Sequence, residues 1–551
     1  MGTTRRKDAS QVVRDSSAAV SLAAQSAWAL ARTGLIRPYR PTRLLRLTRS
    51  LVRWGTGPAG GYVALADRMP DAIGIVDELG SLTFGQIHRE TNAIARGLAS
   101  LGVREGDPVA VLCRNHRWFV EAAVGVAKLG ADVLDLNTAF SGPQLSEVLD
   151  RERPRVLIHD AEFAEMLSGA PGERVVAWHD DAEPADATTL ADLVGRHDDS
   201  DLAVPDREGR TVILTSGTTG SPKGASRGSG SFSAAAALVS RLPFRHGWRV
   251  HVAAPMFHTW GWAHLNLSML IGSTLVLRRR FDPEGFLATV SEERCDAAVA
   301  IPVMLQRVLE LPESVRRRYD LSSLQVLAAS GSALPGDLST RWMDAFGEHL
   351  YNVYGSTECA WATIASPADL RQAPGTAGRP PLGTRVELFD DSGRPVTDGV
   401  GRIFVGNPML FEGYTSGGSK ETIAELMATG DVGRIEDGLL FVEGRDDDMI
   451  VSGGENVYPL EIEDCLVRHD DIADAAAIGV DDEEFGQRLR TFVVLRDGAE
   501  LTEDDVRDHV KAQLARYQVP RDVWFCAELP RNATGKVLKR ELETWERPAD
   551  G

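Results

Sequence analysis

Apolar strands alternate with amphipathic helices from about residue 62 to about residue 350, the rhythm of an α/β domain whose mostly parallel sheets are covered by helices. Between Gly375 and Gly444 the spacing shortens to brief strands and Gly/Asp turns (RVELFDDSGRPV, GRIFVG, GRIEDGLLFVEG), which predicts a small β subdomain or β-barrel. After Arg445 the run DDD opens a segment of mixed helix and strand, expected to be a small α+β domain. The expected parts are a basic extension (1–56), a large domain (57–446) and a small C-terminal domain (447–551), with the boundary at Asp447.

Taken in order, residues 1–54 hold eleven Arg or Lys against Asp8 and Asp15, about +9, within a chain whose net charge is −19. The body is therefore strongly acidic, which argues against nucleic-acid binding. From Thr42, the run RLLRLTRSLVRW puts Leu44, Leu45, Leu51 and Val52 on one helical face and Arg43, Arg46, Arg49 and Arg53 largely around the other. Peripheral contact with an anionic membrane face competes here with packing on the acidic body. After the punctuation GTGPAGGY, Leu82 to Gly102 reads as a helix opened near Thr83 and followed by the strand VAVLC; Ala234 to Ala237 reads as ordinary helix.

The 551 residues are 43% hydrophobic and 25% charged, a soluble globular make-up with room for more than one domain. No apolar run reaches the roughly 20 residues a spanning helix needs, and no signal-peptide cleavage pattern follows the N-terminus. Cys113, Cys295, Cys359, Cys465 and Cys526 lie far apart, without CxxC spacing or expected His partners, so neither disulfides nor zinc are expected and a reducing cytoplasm fits.

Four segments carry chemistry. In TVILTSGTTGSPKG (211–224) a β-type run feeds a loop of Thr, Ser and Gly ending in Lys223, whose small residues let backbone N–H groups crowd phosphate oxygens. It is not a Walker A loop, since Lys223 follows Pro222 and precedes Gly224; a flexible linker shares its composition. In YNVYGSTE (351–358) Tyr354 can stack on a purine and Glu358 can hold Mg²⁺, or the segment is a strand end with a solvated Glu. In TGDVGRIEDGLLFVEGR, Asp431 can accept ribose hydroxyls and Arg445 can contact ribose or phosphate, though singly each is more often a turn or surface residue. In LPRNATGKVLKREL, Lys536 sits in a polar loop ahead of a basic helix.

Order and spacing of these segments, with GRDDDMIVSGGENVYPLEIE between the last two, resemble the adenylate-forming superfamily of acyl-CoA synthetases, adenylation domains and firefly-type luciferases, over about residues 60 to 545. The resemblance is greatest to fatty acyl-CoA synthetases. It implies an ATP-dependent ligase that converts a medium- or long-chain fatty acid to acyl-AMP and then to acyl-CoA, with ATP, Mg²⁺ and coenzyme A. By that similarity Lys536 bridges the acid and the α-phosphate, and Thr215 and Glu358 hold Mg²⁺. Thr215, Ser216, Gly217, Thr218, Thr219 and Gly220 wrap the β- and γ-phosphates near Lys223. Adenine lies between Gly331, Ser332, Ala333 and the Tyr354, Gly355, Thr357 turn, and Asp431 and Arg445 grip the ribose. His258 and Trp262 of PMFHTWGWAH line the acyl site. A mobile small domain turns about Asp447, withdrawing Lys536 and bringing Gly453, Gly454 and Glu455 to a thiol tunnel.

Ala428 and Val451 depart from the common pattern, where many members carry Arg and Lys. A catalytically dead member would have lost Lys536, Glu358 or Asp431, and all three are present. An enzyme loading a separate carrier protein is the alternative acceptor reading; no carrier domain is expected after Lys536.

Overall fold

The structure is a computed structural model describing residues 9–35, 41–180, 187–215, 223–227, 232–411, 419–446, 448, 450–452, 455–482, 486–533 and 535–547. Two α/β sheets make the large domain. The eight-stranded sheet runs in the order Thr363–Ala365, Leu350–Tyr354, Val326–Ala329, Ala297–Ala300, Arg249–Val252, Thr274–Val276, Ile73–Asp77, Gly80–Thr83, with its interior strands parallel. The six-stranded sheet runs Glu173–Val176, Val156–His159, Pro108–Leu112, Asp132–Asp135, Thr211–Thr215, Lys223–Arg227 and is parallel except for its last strand. Strands such as Val326–Ala329 and Val156–His159 are buried along their whole length, as parallel sheets covered on both faces require.

Local chemistry explains the covering helices. Phe84–Ser100 starts where expected: the Thr83 hydroxyl accepts from the Gln86 N–H while the Gln86 side chain accepts from the Thr83 N–H. Its apolar stripe (Ile87, Ile94, Leu98) packs into one core with Phe119, Val120 and Val124 of Arg117–Lys128. The alanine run lies in helix Phe232–Val239 with Ala234 to Ala237 buried.

The β subdomain is an antiparallel sheet of five strands, Arg385–Phe389, Gly401–Gly406, Leu426–Glu436, Thr422–Ile423 and Leu439–Arg445. It is the small β subdomain expected here, in which Leu426–Glu436 shares its length among three partners and, among the described residues, no pairing joins the outer strands. The C-terminal domain has its own core (Ile450, Ile462, Leu466, Val493, Val506, Val510, Val523) under a sheet led by the hairpin Ile472–Asp482 and Gly486–Leu495.

Two helices precede the large domain, the second of them strongly basic. Ala9–Arg32 buries Ala29 and Leu30, and Pro41–Trp54 packs on Pro58–Arg68. The expected face of Pro41–Trp54 is corrected. Ser50 donates to Asp67 at 2.5 Å and draws Leu47, Leu51 and Trp54 to the protein side, so Leu45 and Val52 face outward at 72% and 80% exposure.

The five cysteines are free thiols. One lacks the isolation its spacing suggested: Cys113, His116 and Asp160 converge within 4.8 Å, all buried. His116 Nε2 lies 2.8 Å from Asp160 Oδ1, and burial pushes the Cys113 thiol well above its ordinary value.

Candidate active site

Carboxyl ends of adjacent parallel strands are where open α/β sheets place their ligands. On the eight-stranded sheet, four such ends lie side by side. Arg249–Val252 leads to His258, Ala297–Ala300 to Ile301, Val326–Ala329 to Gly331, Ser332 and Ala333, and Leu350–Tyr354 to Gly355, Thr357 and Glu358. Motifs from positions 258 to 358 thereby share one edge.

Gly355 has no alternative in this turn: a Cβ there would meet the Ala360 carbonyl oxygen at 2.3 Å. The Ser356 hydroxyl then accepts from the N–H groups of Glu358 and Cys359 at 3.2 and 3.3 Å, which fixes the turn carrying Glu358. Gly331 adopts φ +100°, a left-handed value that lets the strand reverse into Ser332 and Ala333.

Tyr354 meets Asp431 across the boundary with the β subdomain. The phenol donates to Asp431 Oδ2 at 2.5 Å, and Arg445 Nε stands 3.6 Å from Oδ1. Asp431 and Arg445 are cross-strand partners, and the Thr429 hydroxyl accepts from the Asp431 N–H at 3.1 Å. Burial raises the Asp431 pKa, opposed first by the Tyr354 hydrogen bond and then by Arg445, Lys536 and Lys420; burial also pushes the Tyr354 phenol well up.

His258 is the N-cap residue of helix Thr259–Ile271, without a side-chain capping bond. Burial and then the charge of Lys536 lower its pKa to about 4, so it is neutral, and its buried Nε2 has no hydrogen-bond partner among the described residues. One turn on, the half-buried Trp262 meets Phe119 edge to face at 6.3 Å between ring centres. The Thr259 hydroxyl donates to Thr357 at 3.4 Å, tying this helix to the Glu358 turn.

Asn115 was not singled out in the sequence. Its amide donates to the carbonyls of Val252 and Ala254 at 3.0 and 2.8 Å, and its oxygen accepts from the Met256 N–H at 2.9 Å. One buried side chain thus spans from the edge of the six-stranded sheet and holds the strand-to-helix turn that ends in His258. A lone Asn in a turn signals nothing in one dimension, because its partners lie 137 to 141 residues away.

Lys536 arrives from the other domain. The Asn532 side chain accepts from the Lys536 N–H at 2.9 Å, and Gly535, at φ +79°, fits against the large domain where an added Cβ would meet Val303 Cγ1 at 2.8 Å. Gln306 also donates to the Ala473 carbonyl at 2.9 Å across the domain boundary. Lys536 is exposed, and its charge acts on both His258 and Asp431. The structure therefore brings Lys536, His258, Tyr354, Asp431, Arg445 and the Gly331 turn together.

Strand Thr211–Thr215 pairs antiparallel with Lys223–Arg227, Thr215 opposite Lys223, so the Thr/Ser/Gly segment between them connects two strands where a Walker A loop would open a helix. Ser216, Gly217, Thr218, Thr219 and Gly220 lie outside the described residues, as do the side chains of Thr215 and Lys223. Asp447, Gly453, Gly454 and the Glu455 side chain also lie outside them; the Glu455 backbone pairs with Ser452.

Sheet edges that gather an aromatic, a buried carboxylate–phenol pair and a lysine delivered by a second domain define an adenylate-forming enzyme. Residues 64–415 match the AMP-binding enzyme family and residues 461–536 its C-terminal domain, so the chain belongs to the AMP-binding enzyme family. It is similar to a feruloyl-CoA synthase of Amycolatopsis (34% identical, covering 84% of this chain and 93% of the relative). It is also similar to a long-chain-fatty-acid–CoA ligase of Mycobacterium tuberculosis (30% identical, covering 84% and 92%). Among solved structures, o-succinylbenzoate CoA synthetase of Bacillus subtilis, in complex with its acyl-adenylate, superposes with a TM-score of 0.78 at 25% identity, covering 89% of this chain and 99% of that one. The chain is an AMP-forming acyl-CoA ligase, working with ATP, Mg²⁺ and coenzyme A.

Proposed function

We propose that this ligase activates a hydrophobic carboxylic acid, a medium- or long-chain fatty acid in the first reading, with Lys536 as the residue that brings the acid and ATP together. The observation that carries the proposal is the Lys536 loop seated on Ile301 and Val303, with its charge felt at both His258 and Asp431. Attack of a carboxylate on the α-phosphate joins two anions, and a positive charge held between acid and nucleotide lowers that barrier.

In this reading Asp431 and Arg445 hold the ribose, Tyr354 packs on adenine while steadying Asp431, and the Gly331–Ala333 turn forms the opposite wall. Glu358, a carboxylate on a turn fixed by Ser356, offers the hard oxygen that Mg²⁺ takes, and with Thr215 it would hold the ion, which neutralises triphosphate charge. The Thr215–Lys223 loop wraps the outer phosphates. Rotation about Asp447 then withdraws Lys536 and brings Gly453, Gly454 and Glu455 to the thiol.

His258 is neutral and its neighbours Phe257, Trp262 and Phe119 are aromatic, so the acid side favours a tail without charge. An aryl acid is the second reading, favoured by the edge-to-face slot of Phe119 and Trp262 and by the feruloyl-CoA synthase relative. An acid panel with ATP, Mg²⁺ and CoA, read by mass spectrometry as acyl-AMP and acyl-CoA, separates these outcomes. Alkyl acids of increasing length are expected to be turned over fastest; selective turnover of cinnamate-type acids replaces the fatty reading with the aryl one. Acyl-AMP that never becomes acyl-CoA would overturn CoA as the acceptor.

A further inference from the structure

The family match begins at residue 64, so the two helices before it lie outside that match. They are fastened to the protein. The Thr33 carbonyl accepts from the His246 N–H at 2.7 Å, Arg68 Nη2 lies 3.1 Å from His246 Nδ1, and Ser50 is bonded to Asp67. Ala9–Arg32 packs on Phe232–Val239, and Pro58–Arg68, beneath Pro41–Trp54, packs on Thr259–Ile271, the helix that carries Trp262.

Their outer faces combine apolar and cationic side chains. Val20, Trp28, Leu45 and Val52 are 70%, 62%, 72% and 80% exposed. Arg46, Arg49 and Arg53 are exposed beside Leu45 and Val52, and among the described residues none of the three makes an ion pair. Arg32 stacks over Trp28 at 4.6 Å. No helix of the described residues is long and apolar enough to cross a membrane.

From these faces we infer that Ala9–Arg32 and Pro41–Trp54 form a docking surface for an anionic lipid bilayer. Charge selects this occupant and its orientation. An anionic surface attracts the extension, about +9, and repels the remainder, about −28, so the protein settles extension-first. Arginines engage headgroups while Leu45, Val52 and Trp28 enter the interface, and the helices lie along the surface without spanning it. Docking presents the side of the domain covered by Thr259–Ile271, the acyl-side helix, to the bilayer.

Co-sedimentation of the full chain with vesicles tests this. Binding is expected to phosphatidylcholine vesicles containing about 30 mol% phosphatidylglycerol, not to phosphatidylcholine alone, and to fall as salt rises from about 0.05 to about 0.5 M. R46E/R49E/R53E should lower the partition coefficient at least about a hundredfold, and L45S/V52S about tenfold. Both variants should keep the wild-type melting temperature and ATP–pyrophosphate exchange rate. Equal binding to neutral vesicles, equal binding by the variants, or no binding at all overturns the inference. So does a concentration-dependent dimer, abolished by the same substitutions, in a protein that ignores vesicles.

Discussion

Removing one oxygen atom from the Tyr354–Asp431 pair, Tyr354→Phe, isolates what the contact with Asp431 contributes. The ring and its packing remain, while the 2.5 Å hydrogen bond to a buried carboxylate is lost. A bond to a charged acceptor contributes about 1.5 to 3 kcal/mol, and 1.4 kcal/mol is a factor of ten, so the ATP KM in ATP–pyrophosphate exchange should rise roughly 10- to 100-fold. Arg445, 3.6 Å away, does not replace a donor aimed at the other oxygen.

The same substitution moves the pH profile. The folded pKa of Asp431 is raised by burial, so the stability its protonated form gives is complete below the ordinary carboxylate range and is lost as pH rises through the folded value. The Tyr354 donor is the largest influence lowering that pKa; without it the carboxylate holds its proton to higher pH, and the acidic limb of the exchange profile shifts upward. An unchanged ATP KM together with an unchanged acidic limb would refute a role for this pair in holding the nucleotide.

Two further substitutions probe the acid side proposed at His258. Asn115→Ala strands two carbonyls and one N–H around the turn before His258, for a cost of about 2 to 4 kcal/mol in denaturant unfolding; the acid KM should rise about tenfold and the ATP KM much less, whereas equal changes in both would contradict a positioning role. His258 has its pKa lowered to about 4, so the fold prefers its neutral form, and the stability this gives is complete above about pH 6.5 and is lost as pH falls toward 4. His258→Gln should therefore lose about 2 kcal/mol less than wild type between pH 7 and pH 5; parallel stability curves would contradict the assignment.

Motif positions were legible in the sequence because each motif follows an element with a strong local signature. Thr83 and Gln86 announce a helix start, and buried strands lead directly into the turns at Gly331, Gly355 and His258. What one dimension hides is the partner across the fold. Asn115 acts at a distance of 137 residues or more, and the Tyr354–Asp431 bond joins positions 77 residues apart. The basic helix Pro41–Trp54 was read by hydrophobic pattern, but a hydrogen bond to Asp67 and packing on Pro58–Arg68 set which residues face outward. How Leu426–Glu436 divides its pairing among three partners is likewise not encoded in strand spacing.

The central claim is that Lys536 is needed to form the acyl-adenylate and dispensable afterwards. Lys536→Ala, assayed for acyl-AMP formation from acid and ATP and separately for thioester formation from supplied acyl-AMP and CoA, tests it directly. The first rate should fall by about two to three orders of magnitude, as removal of a single charge-stabilising group does, while the second stays within a few-fold of wild type. Normal acyl-AMP formation, or equal loss of both half-reactions, would contradict the account.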